Sequence, residues 1–142
     1  MILIKNLSVP KKLFFFLAIL WAGVIAFFCL VNSSEIPKIS ISIENLDKIV
    51  HIFFHFVLTF LLYLFFWKSL KGSGVLKPIL ISIFFSFSFG IIIEILQELF
   101  TTTRHADVFD VLANLFGATL SVVTIIVWNK FGNLERFLED KV

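Results

Sequence analysis

The sequence predicts an all-α protein of the membrane, folded as a polytopic bundle of four transmembrane helices. Hydrophobic residues make up 59% of the 142 residues and the mean hydropathy is +1.03, both beyond the range of an ordinary soluble domain. Charged residues supply only 15%, which is too few to cover a soluble globule of this size. Four apolar segments are each close to the roughly 20 residues that span a bilayer. We therefore assign residues 1–142 to one membrane domain, with no nucleic-acid-binding face.

The predicted spans are residues 13–31, 49–67, 78–100 and 108–128. The first follows two lysines, as a signal peptide does, but it is longer than a typical signal core and no Ala-x-Ala site follows it. We expect it to remain as an uncleaved helix. Cys29, the single cysteine, lies in this span. Because one cysteine cannot form an intrachain disulfide, we interpret Cys29 as a packing residue.

The connections between the spans carry turn and cap signals. The first is polar and contains Pro37, and the second ends at Pro78, a favourable residue for the first turn of a helix. The third is a short polar turn that ends at Asp107, which can cap the last helix. Residues 131–142 mix acidic and basic side chains with leucine and phenylalanine, and we expect them to form a short amphipathic surface helix.

The distribution of lysine and arginine predicts that both termini are cytoplasmic. Nine basic residues fall on one side, namely Lys5, Lys11, Lys12, Lys68, Lys71, Lys77, Lys130, Arg136 and Lys141. Three fall on the other, namely Lys38, Lys48 and Arg104. The start of the second span, the end of the third and the start of the fourth should then lie on the extracytoplasmic side.

Three of the spans carry ionisable or amide side chains within apolar sequence, where such groups cost several kcal/mol unless they are partnered or hydrated. Residues three or four apart share a helix face, so these side chains form three stripes. The stripes are Asp47, His51 and His55; Glu94, Gln97 and Glu98; and Asp110, Asn114 and Gly117. We expect them to turn into the bundle.

The stripes also agree in depth. At 1.5 Å per residue, His55, Glu94 and Asn114 each lie roughly 9 Å from the same predicted edge. We therefore expect one outward-facing polar pocket. Gly117 would let a neighbouring helix approach closely, and Gly90 would do the same or permit a kink.

Several kinds of chemistry fit these residue types. Carboxylates beside imidazoles could move protons, or His51 and His55, four apart, could bind a divalent metal. The sequence has no His-Glu-x-x-His motif, so we predict no metal ligand, and it identifies no cofactor. Lys48 and Arg104 near the mouth suit an anionic head group. The simpler explanation is structural, with Asn114 joining helices for about 1 kcal/mol; the cluster as a whole favours a functional site.

These residues resemble the VanZ-like family of small bacterial membrane proteins. The resemblance covers about residues 47–120 and consists of four motifs in order: Asp47-Lys48-x-x-His51, Glu94-x-x-Gln97, Arg104 six residues before Asp110, and Asp110-x-x-Ala113-Asn114-x-x-Gly117. His55 departs from the family pattern, in which an aromatic residue is more usual.

The resemblance implies a multi-pass protein of the bacterial cytoplasmic membrane, whose family namesake is linked to teicoplanin resistance. The matching positions supply His51, Glu94 and Asp110 as catalytic candidates. They also supply the binding candidates Asp47, Lys48, Gln97, Arg104, Asn114 and Gly117. In an enzyme, Glu94 or His51 would be the general base and Asp110 its orienting partner.

We expect the protein to bind or act on a membrane lipid of the envelope or a lipid-linked cell-wall precursor. The alternative is a non-catalytic interaction or lipid-binding protein whose polar network is structural. A proton-coupled transporter is less well supported, because no charged group continues into the cytoplasmic half of the spans. Enzymatic activity, substrate and oligomeric state stay open.

Overall fold

A computed structural model describes residues 9–31, 46–101 and 106–139, with side chains as far as residue 131. These residues form four helices and no strand. The helices are α1 (Lys11–Leu30), α2 (Leu46–Ser69), α3 (Leu76–Phe100) and α4 (Val108–Glu139). All four are long and apolar enough to cross a membrane, which confirms the predicted fold class.

All four helices extend beyond the predicted spans, α2 and α4 the furthest. α2 begins at Leu46, three residues before the predicted start, so Asp47 and Lys48 belong to its first turn. α4 continues through the predicted tail to Glu139, so the backbone of residues 131–139 is part of that helix. The surface position of this tail, the single-domain assignment and the cytoplasmic location of the termini stay predictions. Pro37 and Arg104 lie outside the described residues.

Local sequence explains where α3 and α4 begin. Gly72 and Gly74 have φ angles of 84° and 72°, which glycine adopts without steric cost, and they turn the chain before α3. Asp107 caps α4, as predicted, because its Oδ1 accepts the backbone N–H of Phe109 at 2.8 Å. That bond, helped by the Lys48 ammonium, holds the pKa of Asp107 below its usual value. The stabilising contribution of the cap is therefore present at neutral pH and is lost as the pH falls through this lowered pKa.

α2 is the central helix and packs against the other three, most extensively against α4. Two apolar clusters hold the bundle. One consists of Phe14, Tyr63, Leu64, Ile79 and Ile125, and the other of Ile25, Cys29, Phe54, Leu58 and Ile93. Large apolar side chains such as Phe16, Phe84 and Leu99 are exposed on the outer faces, as helices in contact with lipid require.

The close approach of α2 and α4 occurs at Gly117. A Cβ atom built on Gly117 would overlap the carbonyl oxygen of Ile52 and lie 2.9 Å from both its C and its Cα. Ala113 and Ser121, one turn away on either side, are small and buried. The absence of large side chains on this face of α4 brings the two backbones together, as small residues do at helix crossings in membranes.

Candidate functional site

Buried polar side chains gather at the end of the bundle where α2 begins, α3 ends and α4 begins. We use the name polar cluster for His51, Glu94, Asp110 and Asn114, each of which is at most 4% exposed. Helical periodicity explains this placement. Each of the neighbours Ile95, Phe109 and Leu115 lies one residue along the helix from a cluster member and faces outward. The predicted inward orientation is thus confirmed for these four residues.

Two members of the predicted stripes lie at the surface instead. Asp47, in the first turn of α2, is exposed at the rim of the polar cluster. Glu98 is also exposed, and its Oε2 accepts the backbone N–H of Ala106 at 2.9 Å. Glu98 therefore stabilises the chain just before α4 and is not part of the cluster.

His51 is the centre of the polar cluster. Its Nδ1 lies 3.0 Å from Asn114 Oδ1 and 3.8 Å from Glu94 Oε1. Its Nε2 lies 4.0 Å from Asp110 Oδ2 and has no hydrogen-bond partner among the described residues. Because an amide oxygen only accepts, Nδ1 donates to Asn114, and in the neutral ring Nε2 carries a lone pair.

The two buried carboxylates are only partly satisfied. Glu94 Oε2 accepts the backbone N–H of Asp107 at 3.2 Å, while Oε1 has no hydrogen bond within the described part of the chain. Asp110 Oδ1 likewise has none, although the Lys48 ammonium lies 3.6 Å away. Buried charged or polar groups left this way are costly, so the cluster is suited to receive a further donor or a cation.

Lys48 supplies the positive charge at the rim. Its Nζ lies 3.2 Å from Asp107 Oδ2 and 5.9 Å from the centre of the Phe109 ring. The side chain is 32% exposed, so the ammonium lies between the polar cluster and the exterior of the bundle. The sequence predicted Asp107 only as a cap, and its ion pair with Lys48 was not foreseen.

Gln97 forms its hydrogen bond with α1, outside the polar cluster. Its Nε2 donates to the backbone oxygen of Cys29 at 2.9 Å. Carbonyls in the last turn of a helix lack partners within that helix, so Gln97 satisfies one of them and joins α3 to α1. This bond is a structural contact, and the binding role of Gln97 stays a prediction.

His55 lies one turn deeper than His51 and outside the polar cluster. Its Nδ1 is 3.0 Å from Ser86 Oγ. The predicted equal depth of His55, Glu94 and Asn114 assumed that α2 starts at residue 49. Since α2 starts at Leu46, His51 and not His55 lies beside the other two.

Ser86 and Gly90 complete the surroundings of the histidines. A Cβ atom on Gly90 would lie 2.8 Å from Asn114 Nδ2 and 3.0 Å from His55 Cε1, so a larger residue there would require these two side chains to shift. Ser86 is not among the residues predicted for the site. The signal was present, because Ser82, Ser86, Gly90 and Glu94 recur every four residues along one face of α3. Arg104, predicted to hold an anion, lies outside the described residues.

The family model described as VanZ/LLP1 matches residues 14–129, which is most of the chain. The match confirms the family predicted from the four motifs. Comparisons with curated proteins and with solved structures gave no match.

Proposed function

We propose that this protein, which belongs to the VanZ/LLP1 family, binds the anionic head group of an envelope lipid or lipid-linked cell-wall precursor at the polar cluster. The observation that carries this proposal is the position of Lys48, a partly exposed cation next to buried polar atoms that have no hydrogen bond among the described residues. In the proposal, the cluster opens toward the extracytoplasmic side of the bacterial cytoplasmic membrane.

Two kinds of group in such a ligand match the site. A phosphate would pair with the Lys48 ammonium, because charge-assisted hydrogen bonds to phosphate are strong. Hydroxyl or amide groups next to it would donate to Glu94 Oε1 and Asp110 Oδ1, which accept no hydrogen bond within the described part of the chain. Each buried polar atom left without a partner costs about 1–3 kcal/mol, so a ligand that satisfies them gains that energy on binding.

The position of the site along the helices also supports a head group. Lys48 lies in the first turn of α2, and Asp107 directly precedes α4. Both positions are at the predicted ends of membrane spans, where lipid phosphates lie. The lysine distribution along the chain places this end outside the cytoplasm in our prediction.

A catalytic form of the proposal uses the same residues. The lone pair on His51 Nε2 would accept a proton from an attacking group, while Asn114 Oδ1, which accepts the Nδ1–H at 3.0 Å, orients the ring in place of Asp110. Asp110 Oδ2, 4.0 Å from Nε2, would attract the proton once it is transferred. Glu94, on the opposite side of the ring, would stabilise the imidazolium that forms. Because the family namesake is linked to teicoplanin resistance, we extend the proposal to a contribution to glycopeptide resistance through the lipid-linked precursor.

A second candidate is a non-catalytic protein whose polar network only fixes helix packing. The hydrogen bonds from His51 to Asn114, from His55 to Ser86 and from Gln97 to Cys29 each join two helices and favour this view. A purely structural network predicts that conservative variants lose stability and function in step.

The Lys48→Gln variant tests head-group binding. We expect about tenfold weaker binding of a polyprenyl phosphate to the protein in neutral lipid nanodiscs, because one charge-assisted contact is worth about 1.5–3 kcal/mol. Native mass spectrometry of the purified complex gives the bound fraction. The matched control is Lys77→Gln, an exposed lysine at the other end of the bundle. Equal lipid binding by the two variants would contradict the proposal.

A further inference from the structure

Three side chains from two helices converge at the rim of the polar cluster. Asp47 and His51 come from α2, and Asp110 comes from α4. Each offers one ligand atom, and the three atoms lie within 4.8 Å of one another. We propose that they form a binding site for a divalent transition-metal ion, with Zn²⁺ as the best match.

The chemistry of His51 is an independent observation that points to a cation. Its Nδ1 donates to Asn114, so Nε2 presents a lone pair to Asp110 Oδ2 at 4.0 Å. In the neutral ring, the Nε2 lone pair and the carboxylate oxygen thus face each other as two electron-rich atoms. The His51 side chain is only 2% exposed, and Nε2 has no hydrogen-bond partner among the described residues. A metal ion between these atoms would bind both lone pairs.

Asn114 provides the support that a metal-binding histidine needs. Such histidines usually donate their other ring N–H to a carbonyl or carboxylate, which fixes the tautomer and the orientation of the ring. Asn114 Oδ1 accepts this bond at 3.0 Å. Gly117, on the next turn of α4, holds that helix close to α2 and so keeps Asn114 within reach.

The donor set favours zinc. One imidazole nitrogen and two carboxylate oxygens are common zinc ligands, with bonds of about 2.0–2.2 Å, so bound ligand atoms lie roughly 3–4 Å apart. Rotation of the Asp47 carboxylate, which is exposed, would close the present separations. Three protein ligands leave a position for water or for an oxygen of a bound ligand.

The sequence did not predict this site. We considered His51 with His55, but His55 is bonded to Ser86 one turn deeper. The other two ligands are Asp47, in the first turn of α2, and Asp110, in α4. Only the packing of α2 against α4 brings Asp110 close to His51.

The metal site shares His51 and Asp110 with the proposed head-group site, but Lys48 affects the two kinds of binding in opposite directions. Its ammonium lies 3.6 Å from Asp110 Oδ1 and competes with a metal ion for that carboxylate. Lys48→Gln should therefore strengthen zinc binding at least severalfold, whereas it should weaken the binding of an anionic lipid. Because the two effects have opposite signs, either proposal can fail without the other, and the metal site does not depend on head-group binding.

The test is zinc titration of the chelator-treated, full-length protein in phosphatidylcholine nanodiscs, which carry no net charge. Isothermal titration calorimetry should show one Zn²⁺ per chain, and Co²⁺ should give visible absorption bands at the same stoichiometry. We expect Asp47→Asn and His51→Gln to lose at least about tenfold in affinity, as changes at zinc ligands and their supports do. Glu98→Gln, an exposed carboxylate on α3, is the matched control and should bind zinc normally.

Asp47→Asn keeps the test valid if His51 variants fold poorly. Residue 47 is exposed, and the substitution removes the charge with almost no change in side-chain volume. The proposal would be overturned by substoichiometric zinc in the wild-type protein. It would also be overturned by equal affinity in Asp47→Asn and Glu98→Gln, or by weaker zinc binding in Lys48→Gln.

Discussion

Replacing Gly117 by alanine should destabilise the protein by roughly 3 kcal/mol, at the upper end of the usual cost of overpacking. The new methyl group would overlap the Ile52 carbonyl oxygen, which is backbone and cannot rotate away. α4 would have to move from α2, and that movement would separate Asn114 from His51, which now lie 3.0 Å apart. We therefore expect loss of stability together with loss of the polar cluster.

The single cysteine makes this prediction measurable. Cys29 is 2% exposed, so its reaction with a thiol-specific fluorophore during heating in detergent reports unfolding. The matched control is Gly23→Ala on α1, since Gly23 is exposed and a Cβ there would have nothing within 4 Å. Gly23→Ala should leave the unfolding temperature unchanged or raise it, because alanine is the better helix former. Equal unfolding temperatures for the two variants would show that the α2–α4 crossing is looser than described here.

His51→Leu should have the second largest effect. The substitution leaves Asn114 Oδ1 without its donor and removes the imidazole that separates the two buried carboxylates. Each buried group that loses its partner costs about 1–3 kcal/mol, so we expect a loss of about 2–5 kcal/mol in the free energy of unfolding. Head-group binding should be lost as well, and in the catalytic form of the proposal so should turnover.

His55→Leu is the control for this change. His55 lies on the same helix and is equally buried, but its polar contact is with the Ser86 hydroxyl, outside the polar cluster. We expect about 1 kcal/mol from the loss of one such bond, with lipid binding retained. Thermal unfolding and native mass spectrometry of both variants give the comparison. A His51→Leu protein that still binds lipid as His55→Leu does would indicate a purely structural network.

Sequence analysis could predict those features that depend on helical periodicity. Four apolar segments of spanning length define the helices, and the spacing of Asp110 and Asn114 places both on the buried face of α4. The same argument places Glu94 inside the bundle. Such inferences hold because an unpartnered polar group in lipid is costly wherever the neighbouring helices lie.

Contacts between helices depend on where each helix begins and on how it is rotated against its neighbours. Because α2 starts three residues earlier than predicted, both histidines lie deeper than predicted, and His51 rather than His55 is level with Glu94 and Asn114. The bond from Gln97 to Cys29 requires the relative position of α1 and α3, and the convergence of Asp47 with Asp110 requires that of α2 and α4. Periodicity within one helix carries no information on these distances.

The central claim of the proposed function is that the buried polar cluster is reached from the extracytoplasmic side of the membrane. Its most direct test uses a Cys29→Ala background, in which Asp47→Cys and Asp110→Cys are each treated with a membrane-impermeant methanethiosulfonate added to intact cells. Phe53→Cys is the control, because Phe53 is 54% exposed on the outer face of α2, where lipid should exclude the reagent. We expect both aspartate positions to be modified from outside, Asp110→Cys more slowly, and Phe53→Cys to stay unmodified. An Asp110→Cys thiol that is as unreactive as Phe53→Cys, or that reacts only in inverted vesicles, would contradict the claim.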